Sequence, residues 1–414
     1  MTKRLDVYFH EKIIGELKQN DDGQMEFTYL SSWLNDPDSM AISASLPLGE
    51  RIFIQKQCRA FFSGLLPEEQ PRKLIAKNLG ISANNDFSML EKIGGECAGA
   101  IVLIPSGKAF PPVDEKYRGL SDHELANKLR ELPYRPLLAG DNGVRLSLAG
   151  VQDKIAVYVN KNKISIPLNG APSTHIIKPA NAIFDGIIFN EAFCLMLARK
   201  IGLPTVNAEI KRIEDIDYLL IERYDRLVTD NLHDASPVKR LHQEDFCQAL
   251  GIVSENKYQN EGGPSLKKCF DLLRLVSTVP VIDLNKLIDI VIFNFFIGNC
   301  DAHGKNFSLV YKNSVELSPF YDLVSTIFYK NLSTKMAMKL GGEYELKRIG
   351  IKNFEILAEE AGLAKPSVKR RVFALADSII SALQKTEPSH PIEQQLLALI
   401  RTRCLSLLQS KISG

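Results

Sequence analysis

An apolar run, Leu284–Ile297, stops at Gly298 and opens into a polar cluster: Asn299, Cys300, Asp301, Ala302, His303, Gly304, Lys305 and Asn306. A helix of that character belongs in a core, and glycine is the usual stop signal at its end. Beyond the cluster the chain has a β-like run, Phe307–Tyr311, a polar turn over Lys312-Asn313-Ser314, and a second run, Val315-Glu316-Leu317. That pattern predicts a hairpin, which brings the chain back through Ser318-Pro319-Phe320-Tyr321 to Asp322. Asp322 is therefore expected near Asn306 and Asp301. Two carboxylates and an amide at one mouth repel one another unless a cation is present, and hard oxygen donors suit Mg²⁺.

Asp301-x-x-x-x-Asn306 has the spacing of a protein-kinase catalytic loop. There the Asp accepts the proton of the acceptor hydroxyl, and the Asn and a later Asp hold magnesium. A polar loop with a capping Asp and Asn is the plainer alternative. His303 is read as a histidine that orients the loop, without a role in proton transfer. Three other segments fit a nucleotide site. In Arg145–Lys154 the small residues Ala149 and Gly150 allow backbone N–H groups close to an anion, although an ordinary turn would look similar. Ser147 would lie beside the phosphates and is a candidate for self-modification. Lys178 ends an apolar β run, Thr174–Pro179, in the manner of a phosphate-pairing lysine, with Glu191 in the first turn of the next helix as its partner; a solvated strand-end lysine is the alternative. Leu219–Arg226 runs from an apolar strand into a charged turn, as at a kinase hinge or an ordinary edge strand.

The chain has 414 residues, 45% hydrophobic and 24% charged, enough for two or three domains at ~150 residues each. A net charge of +2 decides nothing about a polyanionic partner, and seven scattered cysteines without CxxC spacing read as reduced, mostly buried thiols. No apolar stretch reaches membrane-helix length and the start lacks the pattern of a signal peptide, so a cytoplasmic location without membrane contact is expected. Short β-like runs fill the first 45 residues, helices are expected over 55–80, 121–132 and 190–201, and strands over 154–159, 164–166, 174–179, 205–211 and 217–222. From about 243 to 298 the pattern is helical, with Glu244-Asp245 at a helix start, and the last hundred residues are mostly helical. The order is α+β rather than a regular βαβ repeat. The expected organisation is 1–135 as an N-terminal subdomain and the start of an N-lobe, 136–225 as an ATP-binding N-lobe, and 226–414 as a helical C-lobe.

In order and content the segments resemble the HipA family of bacterial serine/threonine-kinase toxins. The resemblance rests on Arg145–Lys154 (RLSLAGVQDK), Thr174–Pro179 (THIIKP), Glu222–Arg226 (ERYDR), Gln243–Gly251 (QEDFCQALG), Lys257-Tyr258, Gly262-Gly263-Pro264, Asp301–Ser308 (DAHGKNFS) and Pro319–Asp322 (PFYD). Ala44–Leu48 (ASLPL) and Leu65-Leu66-Pro67 extend it into the N-terminal part. It implies a bilobal protein-kinase-like fold with an N-terminal β-rich subdomain and a mostly helical C-terminal lobe, using ATP and Mg²⁺. Carried across, Asp301 is the catalytic base, Asn306 and Asp322 hold the metal, and Lys178 pairs with phosphate. Ala149, Gly150, Val151, Gln152, Asp153 and Lys154 cradle the phosphates, and Glu222, Arg223 and Tyr224 contact adenine. His303, Gly304, Lys305 and Tyr321 complete the nucleotide surroundings, and Ser147 is the inactivating autophosphorylation site. The implied partners are a HipB-like helix-turn-helix antitoxin, operator DNA through it, and a protein substrate such as glutamyl-tRNA synthetase or another translation factor. One departure is that the loop reads Asp-Ala-His-Gly-Lys-Asn, with its two small residues in swapped order.

Two other readings stay open. One is a small-molecule kinase of the aminoglycoside or choline type, with the same Asp-loop-Asn-Asp layout. The other is a catalytically silent DNA-binding corepressor. For the latter, residues 365–411 carry eight basic side chains (Lys365, Lys369, Arg370, Arg371, Lys385, Arg401, Arg403, Lys411) against three acidic ones, Asp377, Glu387 and Glu393.

Overall fold

The period-two runs at the start of the chain become strands, because alternation places Leu5, Val7 and Phe9 on one face with Met25, Phe27 and Tyr29 beside them. This is seen in a computed structural model that describes residues 3–108, 116–180, 183–228 and 238–409. The chain divides into two compact units. The first comprises Met1–Pro179, Lys211–Ser254 and Val310–Lys312; the second comprises Ala180–Ile210, Glu255–Leu309 and Asn313–Gly414.

The first unit holds an antiparallel five-stranded sheet in the order Phe53–Ile54, Met25–Tyr29, Lys12–Gln19, Lys3–Phe9, Ile101–Pro105. Helices Gln55–Gly64, Glu69–Leu79 and Asp86–Ile93 accompany it. A second, six-stranded sheet runs Ala208–Ile213, Ile216–Glu222, His175–Pro179, Ile155–Asn160, Lys163–Pro167, Tyr117–Gly119. Its register pairs Lys178 with Leu219 and Ile177 with Ile155. One apolar core reaches from Leu5 through Phe61 and Leu146 to Leu220.

Beneath that core lies a buried ionic cluster. The fully buried Glu96 carboxylate meets Arg223 (3.1 Å), Arg226 (2.8 Å) and Arg240 (2.7 Å), and Asp225 pairs with Arg223 (2.7 Å) and Arg226 (2.8 Å). Burial alone would raise the Glu96 pKa, but the three guanidiniums outweigh it and hold the group at about 2.

Glu244 is a difference from the sequence expectation. It is not an acid at a helix start: it lies in a strand, His242–Asp245, fully buried. Ser43 Oγ (2.5 Å), the Ala44 amide (2.9 Å) and the Tyr311 hydroxyl all donate to it. Burial pushes its carboxyl up to about 7 against those donors. Asp245 does cap a helix, but only the short Phe246–Ala249. The helical expectation over 243–298 holds only from Leu266 onward, in Leu266–Val276 and Pro280–Ile297.

The second unit is mostly helical: Ile187–Lys200, those two helices, and Ile351–Glu360, Lys365–Gln384 and Pro391–Gln409. From Leu287 onward Pro280–Ile297 is buried on nearly all sides, as a largely apolar helix segment must be. A hairpin, Lys335–Leu340 with Glu343–Glu345, interrupts the expected helical stretch. Glu191 falls in the fifth position of its helix rather than the first turn, and is fully buried. All seven cysteines are buried free thiols. Among the described residues no helix is long and apolar enough to cross a membrane.

Replacing Glu96 with Gln removes one of two buried carboxylates facing three guanidiniums. The loss expected in urea unfolding is about 3–5 kcal/mol. Because the folded pKa is depressed below 4.5, the wild-type contribution is complete above about pH 4.5 and disappears as pH falls toward about 2. Stability curves of the variant should therefore lose that acid-side slope.

Candidate active site

Gly298 ends the buried helix in a left-handed conformation (φ +70°), where a Cβ would lie 2.3 Å from Ile327 Cδ1. The chain reverses there, and two buried amides fix the new direction. Asn299 N–H donates to the Asn294 carbonyl (2.8 Å), Asn299 Nδ2 to Asn294 Oδ1 (3.1 Å), and Asn299 Oδ1 accepts from the Asp301 amide (3.1 Å). His303 N–H then bonds the Asp301 carbonyl, and Asn306 N–H the His303 carbonyl. Asp301 is exposed at the tip, with the Tyr258 hydroxyl donating to its Oδ1 at 2.6 Å.

The two strands after the loop are Ser308–Tyr311 and Val315–Leu317, and the Ser318 amide donates to the Ser308 carbonyl (2.8 Å). The return brings Asp322 to Asn306: Asn306 Nδ2 donates to Asp322 Oδ2 at 3.0 Å. Tyr321 braces the same return, since its hydroxyl donates to the Lys305 carbonyl (2.8 Å) and lies 2.6 Å from Ser308 Oγ. Asp322 itself has φ +58°, a strained setting for a residue with a Cβ and one that clusters at functional sites.

Asn306 Oδ1 is buried and has no hydrogen-bond partner. An acceptor left bare beside a carboxylate fits a hard cation, so the residues present suit Mg²⁺. Among the described residues no group of three or more His, Cys, Asp or Glu forms a metal cage. A magnesium ion held by one Asn and one Asp ordinarily completes its shell with phosphate oxygens and water.

Ser147, Ala149–Lys154, Lys178 and Glu222–Tyr224 lie in the first unit. Gly150 has φ +101°, a conformation glycine tolerates, and Lys154 Nζ folds back onto the Ala149 carbonyl (2.6 Å), closing the small loop. Val151 is exposed, Gln152 Nε2 is a buried donor without a partner, and burial raises the Asp153 pKa. Lys178 is buried in its strand. Ser147 is at 0% exposure, its hydroxyl donating to the Leu65 carbonyl at 2.7 Å and its amide to the Glu96 carbonyl at 2.9 Å. At the hinge, the Arg223 side chain belongs to the buried ionic cluster and its amide to the Thr174 carbonyl (3.0 Å), while the Tyr224 hydroxyl donates to Gln243. Sequence reasoning missed Asn294, Asn299 and Glu96. An amide interrupting an otherwise apolar helix was the one readable sign of Asn294.

Two family models match, the HipA N-terminal domain over residues 5–104 and the HipA-like C-terminal domain over residues 146–385. The chain belongs to the HipA family. "Putative kinase Y4mE" of Sinorhizobium fredii is 43% identical over 392 residues, 93% of this chain and 92% of that protein. The serine/threonine-protein kinase toxin HipA of Shewanella oneidensis is 28% identical over 377 residues, 88% of this chain and 84% of that protein. A solved structure of the Shewanella oneidensis toxin–antitoxin system, HipA with HipB and its operator DNA, superimposes with a TM-score of 0.83 at 26% identity, covering 98% of this chain and 97% of that one. The fold is thus HipA-like α+β, and this is a family of kinase toxins, to which nucleotide use belongs.

Gly298→Ala forces a Cβ into both a left-handed backbone and Ile327. A stability loss of about 1–3 kcal/mol is expected in urea titration.

Proposed function

We propose that this HipA-family chain is an ATP- and Mg²⁺-dependent serine/threonine-protein kinase, the toxin of a HipBA-like module. Its target is a cellular protein, with glutamyl-tRNA synthetase or another translation factor as the class to test, and growth arrest or persistence as the consequence. A HipB-like antitoxin, and operator DNA through it, are the proposed partners; the Shewanella oneidensis structure, whose HipA is found with HipB and operator DNA, supports this. The observation that carries the reading is the Asn306–Asp322 pair with its bare amide oxygen, following Asp301 in one braced loop.

In the proposed roles Asp301 accepts the proton of the acceptor hydroxyl, while Asn306 and Asp322 offer oxygens to the metal. Lys178 pairs with phosphate, the amides of Ala149–Lys154 approach the phosphates, and Glu222–Tyr224 contact adenine. Magnesium, when bound, neutralises charge on the phosphate oxygens. Phosphoryl transfer asks mainly for position and electrostatics, which fixed backbone and braced side chains supply.

The corepressor reading loses part of its support. Of the eight basic side chains, Lys365 pairs with Glu359, Lys369 with Glu355 and Arg371 with Asp289, and Arg403 donates to the Phe295 and Phe296 carbonyls. Lys411 lies outside the described residues.

Asp301→Asn should lower phosphotransfer from labelled ATP by roughly 10²–10⁴ with an unchanged melting curve; wild-type turnover removes Asp301 from the role. Labelled polypeptides in a lysate, rather than labelled metabolites, distinguish a protein kinase from a small-molecule kinase. Phosphate on Ser147 adds about −1.5 to −2 charge at the phosphate loop. Calorimetry of Ser147-phosphorylated protein should therefore show much weaker ATP binding than unmodified protein, and equal affinity refutes the switch.

A further inference from the structure

The segment Lys257–Gly263 has no part in the proposed roles, yet it is built with unusual economy of space. The Tyr258 carbonyl accepts from both the Glu261 amide (3.0 Å) and the Gly263 amide (2.8 Å), so the chain wraps back onto Tyr258. Gly263 closes the wrap. A Cβ there would stand 2.5 Å from the Asn256 carbonyl oxygen, 2.7 Å from that of Lys257 and 2.6 Å from that of Tyr258. Backbone atoms cannot yield as a side-chain tip can, so only glycine fits. The knuckle is also tethered: Gln259 Oε1 accepts from the Lys339 amide at 2.7 Å. Two residues earlier on that strand, the Ala337 amide donates to the Cys300 carbonyl at 2.8 Å, next to Asp301. One strand, Lys335–Leu340, therefore registers the knuckle and the catalytic loop against each other.

This construction delivers the Tyr258 hydroxyl to Asp301 Oδ1 at 2.6 Å. The ring is held from two other sides, edge-on to His303 with centroids 5.3 Å apart and with Lys257 Nζ 5.5 Å from its centroid.

We propose that Tyr258 is a positioning residue for phosphoryl transfer, gripping Asp301 by Oδ1. The inference rests on Asp301 being the base. In the step it serves, the acceptor oxygen bonds to the γ-phosphorus, its proton passes to Asp301, and ADP departs with the electrons of the broken P–O bond. Misplacement of a reacting group by about 1 Å costs on the order of 10²-fold. The tyrosine hydrogen bond also favours the ionised carboxylate, the form that can accept a proton.

The test compares Tyr258→Phe, Asp301→Asn and the double variant in full-length protein. Label from ATP is followed on the chain itself, on myelin basic protein and on lysate proteins, across magnesium-ATP concentration and pH. Tyr258→Phe keeps the ring, so folding should be intact. Its saturating rate should fall about 10- to 100-fold, with the ATP concentration for half-maximal rate unchanged. The acidic limb of its rate–pH profile should move to higher pH, because a carboxylate deprived of a donor holds its proton more tightly. Placed on Asp301→Asn, the tyrosine change should add no further loss. Gly263→Ala, which keeps the hydroxyl but spoils its seat, should reproduce the lowered rate. A Tyr258→Phe enzyme within twofold of wild type and with an unmoved acidic limb overturns the proposal while leaving the kinase reading standing, provided Asp301→Asn is crippled. Full activity in Asp301→Asn, or no labelled acceptor with wild-type protein, overturns both.

Discussion

Much of the first unit takes its bearings from one carboxylate. Glu96 receives Arg223, Arg226 and Arg240, together with the amide and hydroxyl of Ser173. Through its own backbone it donates to the Arg145 carbonyl (2.8 Å) and accepts from the Ser147 amide (2.9 Å). The foot of the small-residue loop, the approach to the Lys178 strand and the hinge therefore share a single buried reference point. A buried network of this kind is a poor source of net stability, since desolvation consumes most of the Coulombic gain. Its consequence here is registry: a shift of any of these segments breaks a bond to one buried acid, and a shift of the arginines strands a charge where water does not reach.

How much of this could be read from residue order depends on how local the cause is. Strand alternation at Leu5–Phe9, the glycine stop at Gly298 and the hairpin returning to Asp322 are short-range signals, and each element stands where it was expected. Glu244 shows the opposite case. Next to Asp245 it resembles a helix-start acid, and only Ser43, Ala44 and Tyr311, all remote in sequence, make it a buried group with a pKa of about 7. Glu191 likewise looks like a first-turn acid until the helix is seen to begin at Ile187. Glu96 carried no signal at all, because its three arginines are spread from 223 to 240 and nothing in a single chain announces which acid they will share. Within the site, Asp301, Asn306 and Asp322 were legible as a spacing, whereas the buried amides Asn294 and Asn299 that aim the loop were not.

The Asn306–Asp322 pair and Asp301 are stiffened by different means. Around Asn306 and Asp322 the return strand, Tyr321 and a left-handed Asp322 hold oxygens in place, at the cost of backbone strain. Around Asp301 the holding includes two hydrogen bonds: its amide donates to Asn299 Oδ1, and the Tyr258 hydroxyl donates to its side chain. The division suits the chemistry. In the proposed roles, a metal-binding pair gains from rigidity in every direction, while a base needs its accepting oxygen aimed at the substrate.

Ser147 poses a conflict that the same packing resolves. Its hydroxyl has no exposure, and Leu146 and Leu148 on either side are buried in the core of the first unit. A phosphoryl group cannot be delivered to an oxygen in that setting, so modification requires the segment to leave its seat. Departure breaks the bonds to Leu65 and Glu96 and exposes two leucines, each worth about 1.5–3 kcal/mol of burial. Openings of that size are rare but accessible excursions of a folded protein. Were phosphate attached, the return path would be closed, because a doubly charged group cannot re-enter a buried seat where the hydroxyl's partner is the Leu65 carbonyl, an acceptor with no proton to give a phosphate oxygen. The seated and modified states would then be mutually exclusive conformations of one segment, with the buried bond to Leu65 setting how often the first gives way to the second.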